Sequence, residues 1–70
     1  MDIDIDIRRV TVVREAGYVA AMVVDQCDGL RVEVGPVQAM RQMAIDLAAQ
    51  HHLVQAQPDV WERRGRIVLG

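Results

Sequence analysis

A chain of 70 residues with net charge −2, 51% apolar and 26% charged, is of globular rather than disordered composition. No apolar run approaches the ~20 residues of a membrane span, and the near-neutral charge excludes a binder of nucleic acid or membrane that relies on global attraction. The lone Cys27 excludes an internal disulfide and a cysteine-based zinc cage, so one core, burying roughly 60% of the unfolded surface, must hold the fold.

The chain opens on Asp2, Asp4 and Asp6 alternating with Ile3, Ile5 and Ile7. This period of two marks a strand with one wet face, and it lacks the basic start of a secretory signal. A cytoplasmic, reducing location is therefore expected. The apolar positions change from odd to even between Ile7 and Val10, which predicts a bulge near Arg8 and Arg9 before the strand continues to Val13.

Arg14 to Gly17 reads as a turn, and Tyr18 to Val24 as a second strand. One face of that strand carries Tyr18, Ala20, Met22 and Val24, the other Val19, Ala21 and Val23. Both faces are apolar. Either the strand is covered on two sides or it presents an apolar surface to a partner, and a single helix covers only one face of a sheet. Asp28-Gly29 signals the next turn. Leu30, Val32 and Val34 alternate with Arg31 and Glu33 in a third strand, expected to be half-buried.

Gly35-Pro36 ends the sheet segment, with Pro36 expected at the first helical position. At about 100° per residue, Val37, Met40, Met43, Ala44, Leu47, Ala48, His51 and Val54 share one side and form the expected core stripe. Ile45 and Ala49 stand among polar neighbours on the opposite side, so Ile45 is a candidate contact residue. Beyond Pro58-Asp59, Val60 to Glu62 and Arg66 to Leu69 read as a final hairpin around Arg63-Arg64-Gly65. The sequence thus predicts a single α+β domain over residues 1–70: a small antiparallel sheet, β-β-β-α-β-β, with one helix packed on one face.

Catalytic chemistry finds no footing. The chain has no serine, no glycine-rich phosphate loop and no paired-carboxylate signature. Asp2, Asp4 and Asp6 do not begin a calcium loop, because the sixth and twelfth positions hold Ile7 and Val13. On a strand they lie about 6–7 Å apart, close to the phosphate spacing of a nucleic-acid strand, but a solvated face explains them. Adjacent His51 and His52 diverge by about 100° on a helix and cannot grip one metal together. Cys27 has no basic neighbour to make it a nucleophile. The expectation is a non-enzyme without metal or cofactor. The candidate partner-binding residues are Trp61 with Arg63, Arg64 and Arg66, since Trp and Arg are frequent interface anchors, together with Tyr18 and Ile45.

The stretch from Val12 to Leu47, with Gly17-Tyr18-Val19-Ala20, Asp28-Gly29, Val32-Glu33-Val34 and the following Ala-rich helix, resembles HicB-type antitoxins. That resemblance implies neutralisation of a small ribonuclease toxin. The whole layout is similar to small phage-encoded inhibitors, among them anti-CRISPR proteins and inhibitors of host RNA polymerase. This second resemblance implies a miniature domain that blocks a working site on a host protein or ribonucleoprotein complex. The rival expectations are a nucleic-acid binder using the arginines and a homodimer that buries strand faces.

Overall fold

The computed structural model describes residues 7–63. The Asp2, Asp4 and Asp6 stripe, Arg64, Arg66 and the strand expected over Arg66 to Leu69 lie outside the described residues. Five strands and one helix follow in the order β1 (Ile7–Ala16), β2 (Val19–Gln26), β3 (Gly29–Pro36), α1 (Val37–Gln50), β4 (Leu53–Gln57) and β5 (Val60–Arg63). They form one antiparallel sheet in the order β3-β2-β1-β5-β4, with α1 against one face. The α+β class and the β-β-β-α-β-β order agree with the sequence pattern, but the strands after the helix are Leu53–Gln57 and Val60–Arg63, where the sequence pattern put them at 60–62 and 66–69, and β5 pairs with β4 and β1.

β1 is the central strand, and its register carries the expected bulge: pairing with β2 shifts between Ile7 and Arg9. The extra residue lets Ile7 and Val10 both face the helix although they differ in parity, and both are buried. The β1–β2 turn lies later than the sequence suggests. β1 runs through Ala16 and the chain reverses at Gly17-Tyr18, with Gly17 at φ 57°. Only glycine takes that backbone region without a steric cost.

Directly opposed residues of an antiparallel pair share a face, so the register sorts the side chains. On the helix side lie Val10 and Val12 of β1, Ala20, Met22 and Val24 of β2, and Trp61 of β5. Val37, Met40, Ala44 and Ala48 of α1 pack down on them, with Met43 and Leu47 partly buried beside them. Gly35 gives the Met40 side chain room here. A Cβ at that position would stand 3.0 Å from the Met40 Cε, where β3 passes beneath the start of the helix.

Three details differ from the sequence reading. Pro36 is the N-cap of α1, one residue before the expected place, and no side chain caps the helix. The helix stops at Gln50 because His51 closes it through its N–H to the Leu47 carbonyl and His52 turns left-handed at φ 59°. Val54, expected on the helical core stripe, therefore lies in β4 and is exposed. Finally, Pro58-Asp59 is the turn of a β4–β5 hairpin rather than the end of a connection. Pro58 followed by Asp59 at φ 64° suits a type II turn.

Candidate partner-binding face

The side of the sheet away from α1 has no covering element among the described residues. Cross-strand registers arrange it in rows. Val34, Ala21 and Val13 form one; Val32, Val23, Thr11 and Val60 a second; Leu30, Asp25, Arg9, Glu62 and Val54 a third. The first row is apolar, and the second is apolar apart from Thr11 and from Gln57, which continues it beyond Val60. Val32 and Val34 remain 55% and 64% exposed and Val13 45%, values far from those of core residues. Ala21 is buried on this open side because Val13 and Val34 flank it.

This placement corrects the reading of the third strand. Leu30, Val32 and Val34 were the expected buried set, yet β3 contains no buried residue. The turn at Cys27-Asp28 sets Val32 beside Val23 and Glu33 beside Met22, so the apolar set of β3 joins the open side. Arg31 and Glu33 lie on the helix side instead, at the margin that α1 does not cover, and pair with each other at 3.8 Å.

The expected contact residues do not converge on this face. Trp61 is only 8% exposed and belongs to the core cluster with the buried residues of α1, so it offers a partner little surface. A tryptophan followed by arginines reads equally as anchor or as core cap, and register decides between them. Arg63 ends β5 and donates from Nη2 to the Ile7 carbonyl at 3.1 Å, across the bulge of β1. Tyr18 is 86% exposed, in the turn rather than in β2. Its carbonyl accepts the Val37 N–H at 2.6 Å, and it lines a shallow hollow with Pro36, Val37 and Gln38 at the helix start. Ile45 is exposed on the solvent side of α1, remote from the open sheet side.

The polar groups elsewhere serve the fold. Arg41 of α1 holds Asp59 through two parallel bonds, Nε to Oδ1 at 3.0 Å and Nη2 to Oδ2 at 3.1 Å. Arg9 and Glu62 pair at 3.3 Å on the open side, at the boundary of the apolar rows. Cys27 is an exposed turn residue. Among the described residues no group of three or more His, Cys, Asp or Glu could hold a metal ion, and no helix is long and apolar enough to cross a membrane.

No known protein family, curated protein or solved structure matches the chain.

Proposed function

We propose that this chain is a non-catalytic protein-binding inhibitor or regulator that lays the open side of its sheet against a functional site of a larger host complex. One observation carries the reading: the apolar surface of Val13, Val19, Val23, Val32 and Val34 on the side of the sheet that α1 does not cover. Contiguous apolar surface of this kind marks interaction sites in small proteins. Covering the exposed members, Val13, Val19, Val32 and Val34, removes about half of each side chain from water, worth about 1 kcal/mol each before the costs of association. The resemblance of the sequence layout to small phage-encoded inhibitors supports occlusion by a miniature domain as the mode of action.

Affinity capture from lysate of the native host, with nuclease added and with Val13→Glu as the control, tests the reading. Val13 is exposed and outside the core, so the variant keeps its fold while placing a charge on the apolar face beside Ala21. A nuclease-resistant host complex held by the parent and lost by Val13→Glu is the expected result, and a small ribonuclease in that complex would make the protein an antitoxin. Equal capture by both forms removes the face from the site. Capture that disappears with nuclease overturns protein binding in favour of nucleic acid.

A further inference from the structure

We propose that β3 is a self-complementary edge through which two copies of this chain join their sheets into one continuous antiparallel sheet. The proposal stands apart from the host-binding reading, because it uses the rim of the sheet rather than its face.

The two rims differ. β4, at one end, has five residues, an irregular register between Gln55 and Gln57, and Pro58 directly after it. Short length, bulges and proline are the devices that blunt an edge against pairing. β3, at the other end, has eight residues, each paired in unbroken register with β2, and its proline comes only at the last position. Among the described residues, its outer backbone edge has no neighbouring strand in the sheet. A long regular edge of this kind is a template for another strand.

The side chains identify that strand as a second β3. A two-fold axis through Val32, perpendicular to the sheet, sets Val32 beside its own copy and pairs each remaining residue with its mirror position. Leu30 then meets Val34 of the second copy on the open side, and Val34 meets Leu30. These side chains are 68% and 64% exposed in the single chain. On the helix side, Arg31 meets Glu33 of the second copy and Glu33 meets Arg31. The weak pair that Arg31 and Glu33 make within one strand, 3.8 Å apart, thus becomes part of a ring of four alternating charges. Both apolar and charged positions match under one operator, as a two-fold interface requires. An unrelated strand would have to reproduce this order of apolar and charged positions; a second β3 does so by symmetry.

Analytical ultracentrifugation of Arg31→Glu and Glu33→Arg, alone and mixed, tests the register. Each variant places like charges opposite each other at two positions and should self-associate about tenfold or more weakly than the parent. Mixed in equal amounts, the two restore opposite charges at both positions and should dimerise like the parent, as should the double variant Arg31→Glu/Glu33→Arg. Recovery on mixing also shows that each variant is folded. A parent chain that stays monomeric up to millimolar concentration overturns the proposal. So does a dimer that neither single variant weakens, or one that fails to return in the mixture and in the double variant.

Discussion

Asp59 holds a left-handed backbone conformation that favours glycine or asparagine, yet an aspartate occupies it. Its bonds explain the choice. The carboxylate takes the fork of Arg41, while its carbonyl accepts the Val12 N–H at 2.9 Å and so extends the β1–β5 seam. Since the Arg41 and Asp59 side chains are 44% and 31% exposed, solvent screens the pair and its worth is about 0.5–1 kcal/mol despite good geometry. Asp59→Asn, which keeps the turn but not the charge, should lose about that amount in urea unfolding. Added salt should narrow the gap between the two proteins. Asp59→Gly relieves the backbone while losing the same pair, so its net change is smaller.

Among the elements, α1 is held by its face more than by its ends. Val37, Met40, Ala44 and Ala48 are buried, whereas the N-cap is a proline without a capping side chain, and the first left-handed position after the helix is His52. His52 is exposed, and a non-glycine residue there costs about 1–2 kcal/mol of steric strain, part of which glycine gives back as chain entropy. His52→Gly should therefore raise stability by about 0.5–1 kcal/mol, read as a rise of a few degrees in the thermal midpoint. Periodicity made most elements legible. Alternation in β1 and β2, the parity change at Arg8 and the helical stripe from Val37 to Ala48 all follow from side-chain spacing alone. The end of α1 did not, because nothing in the apolar pattern distinguishes Val54 on a longer helix from Val54 on a strand, and the stop depends on the local backbone of His52. The inversion of β3 was illegible for a related reason: alternation shows that Leu30, Val32 and Val34 share a side, but only pairing with β2 shows which side. The candidate site was half visible. The second apolar side of β2 pointed to an uncovered sheet face, whereas Trp61 looked like an anchor until its register put it under the helix.

For the whole molecule, the strand order separates pairings by their distance along the chain. β1–β2, β2–β3 and β4–β5 each join successive strands across short turns, while β1–β5 brings together the two ends of the described chain. That seam sets Val10 against Trp61, both buried, and it closes only after the entropy of the long intervening loop has been overcome. Late, non-local pairing of this kind limits folding rates. Trp61→Leu should accordingly slow refolding more than it speeds unfolding in a denaturant-jump series; the reverse pattern would place seam closure after the barrier. During synthesis the consequence is directional. Until Val60 to Arg63 leave the ribosome, β1 has no neighbour on one side, so the strand that ends as the middle of the sheet spends its first moments as a rim open to foreign strands.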